Sequence, residues 1–302
     1  MSDRVGFIGL GHMGAPMCAQ VLRAGFETTV FDLREDAVRA AVSLGARPAA
    51  TVAACAAHAD VVVTMLPGPE QVEAVLLGDD GVLAALPPGT LAVDMSTSDP
   101  ELARRLARAG AERGVGVLDA PVADALKAAE GRLHVFVGGD ADHVARARPI
   151  LEAMGDRAGI VHVGPSGSGQ VVKLLVNLQW FVHAAAAAEA LLIGVRAGID
   201  LRALHAGFAA GPARSSFIEH EALEVLRDGE YGERFPLGLV AKDLRLAAAL
   251  ARETEVPAAV SDATLELYER ARERLGDGAG EMGVLAFLEE LTGTALRFAP
   301  RA

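Results

Sequence analysis

"VGFIGLGHMGAPM", residues 5–17, is the stretch that decides the fold. An apolar, strand-like run ends at Gly9, and a run of helical character opens at Gly14. Between them, Gly9, Gly11 and Gly14 stand in G-x-G-x-x-G spacing. At such a crossing the first glycine permits the tight turn, the second lets a pyrophosphate approach the backbone, and the third lets helix and strand pack closely. The helix N-terminus then faces the phosphates. A bound dinucleotide is the expectation, with Gly9, Leu10, Gly11, His12, Met13 and Gly14 as its cradle. The next strand-like run, "ETTVFD", ends at Asp32, at the separation expected of an acid that takes the adenosine ribose hydroxyls. A carboxylate there repels a 2′-phosphate, which favours NAD over NADP. Arg34, two residues on, weighs the other way.

Outward from this crossing, β-rich runs alternate with helical ones. "RVGFIG", "ETTVFD", "DVVVTML", "TLAVDMS", "VGVLDAP" and "LHVFVGG" read as strands, and 15–24, 36–44, 69–77, 100–113 and 140–154 as helices. That alternation predicts a doubly wound, mostly parallel sheet, a Rossmann domain over 1–164. At "GPSGSG", residues 164–169, glycine and serine break the pattern, and only helical runs follow: 170–196, 200–209, 214–227, 237–253, 258–275 and 281–291. An all-α domain over 165–302, entered by one long interdomain helix, completes the expected architecture and is expected to carry substrate binding and dimerisation.

The bulk properties narrow the function. A chain of 302 residues with 51% hydrophobic and 23% charged side chains suits two globular domains. The net charge of −12, without a dense basic stripe, opposes nucleic acid. Cys18 and Cys55 lack metal-ligand or redox spacing and read as core thiols, so no metal site is expected. The uncharged run 174–188 includes Asn177, Gln179 and His183 and falls short of the roughly 18 apolar residues of a membrane span. The N-terminus enters a strand without a charged leader and apolar core, so the expected address is cytoplasmic, with no membrane partner.

"GSGQVVKLLVN", residues 167–177, sets Lys173 and Asn177 four apart on one helix face. An ammonium in an apolar segment is costly unless a pocket uses it, and desolvation brings a lysine toward the working pH. Lys173 is therefore the candidate acid/base, and Asn177 could orient the same hydroxyl. The alternative is a lysine that snorkels to solvent from the start of the helix.

Together these residues resemble the β-hydroxyacid dehydrogenases, the family of 3-hydroxyisobutyrate dehydrogenase and the tartronate semialdehyde reductases. "GFIGLGHMGAPM", "TMLPGPEQV", "VDMST", "DAPV", "GSGQVVKLLVN" and "FPLGLVAKDLRLA" occur in that family's order over nearly the whole chain. The resemblance implies hydride transfer between NAD(P) and an alcohol or carbonyl of a small molecule, in a homodimer or higher homo-oligomer. It makes Lys173 catalytic and Asn177 its substrate-binding helper. It puts Met65, Leu66 and Pro67 beside the adenosine and ribose, and Thr97 near the nicotinamide. Lys242 and Asp243 would close over cofactor and substrate from the helical domain. The other reading of Lys242 and Asp243 is a solvated helical ion pair, and of "DMST" a strand end leading into a helix cap.

The family's usual run after "DAPV" is Ser-Gly-Gly, whose hydroxyl and amides hold the substrate carboxylate. Here it is Ala123, Asp124 and Ala125. A hydroxyl is lost, two glycines gain side chains, and a fixed carboxylate repels a bound one by about 4 kcal/mol at contact. A simple small 3-hydroxy carboxylate is therefore expected to fit poorly. Asp124 either caps the helix "ALKAAEG" or binds a hydroxyl, an amine or another cationic group. Trp180, three residues beyond Asn177, either lines the substrate site or packs in a core. Val176 argues against the decarboxylating 6-phosphogluconate relatives, and Lys173 against the imine reductases. C=N reduction stands second. A non-catalytic dinucleotide-binding sensor is the reading of another class, opposed by the joint presence of Lys173, Asn177 and Lys242.

Overall fold

The computed structural model describes residues 3–232 and 235–299. The chain divides into two compact units, one ending at Lys173 and the other beginning at Leu174. The first contains, in order, β1 (Arg4–Ile8), α1 (Gly14–Arg23), β2 (Glu27–Phe31), α2 (Glu35–Ser43), β3 (Arg47–Pro48), α3 (Val52–Ala56), β4 (Val61–Thr64), α4 (Pro69–Leu77), α5 (Val82–Ala85), β5 (Leu91–Asp94), α6 (Pro100–Ala111), β6 (Gly116–Asp119), β7 (Val122–Ala123), a 3-10 turn (Ala125–Glu130), β8 (Leu133–Gly138), α7 (Ala141–Met154) and β9 (Gly155–Gly164). The start of α8 (Ser168–Arg196) also belongs to it.

The sheet runs β3-β2-β1-β4-β5-β6-β8-β7, with β9 on β8. All pairs from β3 through β6 are parallel, β8 is antiparallel to β6 and β7, and β9 is parallel to β8. The expected mostly parallel, doubly wound sheet is therefore present. Strands β4 and β5 are buried along their whole length, because helices cover both faces. Val5, Phe7, Val63, Val93 and Leu118 form the core on one face, and Ile8, Val62, Ala92, Leu76 and Leu106 on the other.

The strand order reverses between β1 and β4, the switch point at which such sheets bind ligands. One register row crosses the carboxyl ends here: Ile8, Thr64, Asp94, Asp119 and Gly138 are successive partners. The six strands read from the sequence are present, and β3, β7 and β9 are additional. All three escape a pattern reading for a physical reason. The first is a two-residue edge piece containing a proline, the second is only two residues long, and the third is a strand with several exposed positions that begins Gly-Asp-Arg-Ala-Gly.

In the second unit, α8 continues to Arg196 and is followed by α9 (Leu201–Ala210), a π turn (Phe217–Glu221), α10 (Ala222–Asp228), α11 (Leu237–Glu253), α12 (Ala259–Leu275) and α13 (Gly283–Thr292). All described elements here are helical, as expected. Helix α8 has the length and composition to cross a membrane. Phe181, Ala184, Ala188 and Leu191 recur on one side of it and are buried in this unit's core with Leu237, Val240 and Leu285.

Candidate active site

The three motif glycines meet three different environments. A methyl group on Gly9, whose φ is +95°, would sit 2.2 Å from the Met65 carbonyl oxygen, so the turn demands glycine twice over. One on Gly14 would sit 1.9 Å from the Gly9 carbonyl oxygen, which fixes how closely α1 packs on the turn. At Gly11 it would meet nothing within 4 Å. Gly11 is thus not required by the protein's own packing, and the space beside it is what a pyrophosphate needs. No side chain caps the N-terminus of α1, at Met13, so the helix end suits an anion. Leu10 is buried, His12 is exposed, and a groove of about 400 Å³ between α1 and α2 opens beside Gly11, His12 and Arg34.

Asp32 follows β2 and ties this loop down. Its carboxylate accepts the Leu10 N–H at 2.6 Å and the Arg34 N–H at 2.8 Å. The Arg34 guanidinium donates to the Leu10 carbonyl at 3.0 Å and lies 3.8 Å from Asp32. Both side chains already share the work of shaping the loop. Leu33, between them, is 90% exposed and presents an apolar surface beside Asp32.

A polar network underlies the other strand ends. Asp94 accepts from the Thr64 hydroxyl at 2.8 Å and the Ser96 hydroxyl at 2.6 Å, and Ser96 Oγ accepts the Leu66 N–H at 2.9 Å. The loop containing Met65, Leu66 and Pro67 is thereby joined to the loop containing Thr97. Burial pushes the Asp94 carboxyl up to about 6, against the lowering effect of its hydroxyl donors and with a smaller push from Asp119. Burial also raises Asp119, whose oxygens accept the Gly167 N–H at 2.7 Å and the Gln170 N–H at 3.1 Å. Gln170 is fully buried; its carboxamide donates to the Ser96 carbonyl at 2.9 Å and accepts the Ser98 N–H at 2.8 Å.

Lys173 is buried in α8, one turn beyond Gln170 and one turn before Asn177, so the three share a helix face. The snorkelling alternative does not hold, since only 9% of the residue is exposed. In the helical unit, Asn177 donates to Asp243 Oδ2 at 2.6 Å. Lys242 Nζ lies 3.0 Å from the other oxygen, a contact of charges without hydrogen-bond alignment. Asp243 is buried, which excludes the solvated ion pair. Trp180 packs edge-on to Phe181 and Phe217, centroids 5.4 and 5.6 Å apart, half-buried against this unit's core.

Asp124 differs from its expected cap geometry. It precedes the 3-10 turn in the left-handed conformation, φ +64° and ψ +55°, and its side chain makes no capping bond. The twist directs the carboxylate to Lys127 Nζ at 2.7 Å and beside His134 Nδ1 at 3.4 Å instead. Across β7 and β8, Ala123 is the register partner of His134, which brings the imidazole there. Lys127 and His134 carry no local sequence signal of this contact, since one lies in a short helical turn and the other in a strand.

A family model described as the NAD binding domain of 6-phosphogluconate dehydrogenase matches residues 4–164. Another, described as the NAD-binding region of NADP-dependent 3-hydroxyisobutyrate dehydrogenase, matches residues 167–288. An NAD-dependent L-serine dehydrogenase of Pseudomonas aeruginosa is 40% identical, covering 88% of this chain and 91% of its own. A 2-(hydroxymethyl)glutarate dehydrogenase of Eubacterium barkeri is 34% identical over 98% of both chains. The chain belongs to the β-hydroxyacid dehydrogenase family. A solved Mycobacterium tuberculosis 3-hydroxyisobutyrate dehydrogenase with L-serine agrees in fold, with TM-score 0.87, 30% identity, and 95% and 99% of the two chains covered. As a β-hydroxyacid dehydrogenase, the protein is an NAD(P)-dependent oxidoreductase that acts on a CH–OH group.

A positive φ such as that of Asp124 favours glycine, and aspartate is among the few other residues that tolerate it.

Proposed function

We propose that this enzyme oxidises a β-hydroxy acid bearing a second charged group, with a β-hydroxy-α-amino acid as the class that fits best, and that it prefers NAD. The observation that carries the substrate reading is the Asp124–Lys127 ion pair at the position of the family's carboxylate-holding loop. Repulsion of a bound carboxylate by Asp124 is offset by Lys127. A zwitterion satisfies both members of the pair, ammonium to Asp124 and carboxylate to Lys127, whereas a simple 3-hydroxy carboxylate satisfies one. The relative named as an L-serine dehydrogenase supports the same class.

Gly9 through Gly14, Asp32, Met65, Leu66, Pro67 and Thr97 would hold the cofactor, which supplies hydride transfer when bound. Lys173 is the general acid/base: neutral, its Nζ takes the substrate hydroxyl proton in oxidation, and as ammonium it returns one in reduction. Asn177 binds the same hydroxyl. Its amide is oriented by Asp243, whose buried charge is in turn balanced by Lys242. Trp180 is held by its aromatic neighbours and would at most border the substrate with its half-exposed face.

An absorbance screen with NAD and NADP, covering hydroxyamino acids, 3-hydroxy carboxylates, apolar alcohols and cyclic imines, tests the substrate reading. Hydroxyamino acids are expected to exceed simple 3-hydroxy carboxylates in kcat/KM by about tenfold or more, one charge contact's worth. The triple substitution Ala123→Ser, Asp124→Gly and Ala125→Gly should reverse that order. Efficient turnover of simple acids by the unaltered enzyme would sink the reading.

The NAD preference rests on the Asp32 carboxylate at the end of β2, whose charge would oppose a 2′-phosphate, and on Arg34 being held at the Leu10 carbonyl. NAD is expected to bind about tenfold or more tightly than NADP, and Asp32→Ala to shrink that ratio while weakening NAD through the lost Leu10 bond. Equal affinities in the unaltered protein would remove the preference.

A further inference from the structure

We propose that Asp119 and Gln170 are positioning residues that fix the Lys173 amine against the loop bearing Thr97. This inference rests on the assignment of Lys173 as acid/base. Helix α8 is capped at long range: the acid that receives its first N–H groups comes from the end of β6, 48 residues before Gly167 and 51 before Gln170. Such a cap fixes the helix end to the sheet rather than to its own leading turn. The fit allows no slack. A methyl group on Gly138 would sit 2.6 and 2.7 Å from the two Asp119 oxygens, and one on Gly169 would sit 2.4 Å from the Phe136 carbonyl.

Gln170 supplies the second constraint. Its donor and acceptor engage Ser96 O and Ser98 N, the backbone groups on either side of Thr97, so one side chain brackets that residue. Ser96 in turn holds the Leu66 amide through its hydroxyl. A continuous set of buried bonds therefore runs from the loop after β4, through the loop after β5, to the helix turn immediately before Lys173. Neither Asp119 nor Gln170 is needed as a proton carrier. Both set where the proton carrier stands, and a displacement on the order of 1 Å at a reacting group costs about 10²-fold in rate.

Gln170→Met keeps the volume and removes both bonds. Its kcat per cofactor-binding site, with sites counted by NADH titration, is expected to fall about 10²-fold, while substrate KM and cofactor Kd stay within about threefold. In the cofactor-free protein, the rate at which an amine-directed acylating reagent labels Lys173, followed by peptide mass spectrometry, should rise several-fold as the buried amine loosens. A merely structural role would lower the melting temperature and the number of binding sites but leave kcat per site unchanged. If the methionine variant does not fold, Gln170→Glu, which keeps the acceptor for Ser98 N, is expected to show the same split with a smaller loss. Unchanged kcat per site, or an unchanged labelling rate, overturns the proposal. If Lys173→Ala is inactive while Gln170→Met is fully active, only the positioning role fails. If Lys173→Ala is active, the lysine assignment itself fails.

Discussion

Lys173→Ala is expected to lower kcat by about 10³-fold, within the range for removal of a positioned acid/base, while NADH affinity stays within a factor of a few. Lys173 lies on α8, and the candidate cofactor residues lie on loops after β1, β2, β4 and β5 and on α11, so the substitution leaves those loops intact. Alanine is the best helix former, so α8 itself should persist through the substitution. Lys173→Arg separates two roles that alanine confounds. Arginine retains positive charge but cannot give up its proton near neutrality, so it should be nearly as inactive if proton transfer is the role. Fluorescence titration with NADH alongside steady-state kinetics makes the test. Near-normal turnover by either variant would assign the proton to another group.

What the sequence made legible here is what short-range sterics enforce. The glycine loop could be read because Gly14 answers to Gly9 five residues before it and Gly9 to the adjacent β4 loop, and the parallel strands because burial on both faces leaves continuous apolar runs. Of the two readings of Asp124, the helix cap fails for the converse reason. A residue ahead of a short helical turn looks like an N-cap, and only its left-handed backbone reveals that the carboxylate turns toward Lys127 and His134. Gln170 gave no signal at all. Its partners lie 72 and 74 residues away, and a buried amide in a helix of mixed character has no local pattern to distinguish it from a surface one. Lys242 and Asp243 sat between these cases, readable as a pair, while an adjacent lysine and aspartate carry no local mark that Asp243 is buried.

The glycine loop supplies the second large effect, and the contrast among its members makes the prediction specific. Gly11→Asp is expected to weaken NADH binding by about 10³-fold with little change in melting temperature. A side chain at Gly11 meets no protein atom within 4 Å at its first carbon, so the folded chain accommodates it without backbone movement. The space it enters is the one that a pyrophosphate would take at the end of α1 in the proposed cofactor site, and a carboxylate about 4 Å from a phosphate charge costs about 4 kcal/mol at an effective dielectric near 20, which is about three decades of affinity. Gly14→Ala should behave differently. Its methyl group would fall 1.9 Å from the Gly9 carbonyl oxygen, so α1 must move off the turn, and both the melting temperature and the affinity should drop. Thermal denaturation and NADH titration of the two variants separate a glycine kept for the ligand from one kept for the fold. Wild-type NADH affinity in Gly11→Asp would place the pyrophosphate elsewhere and remove the loop from the cofactor site.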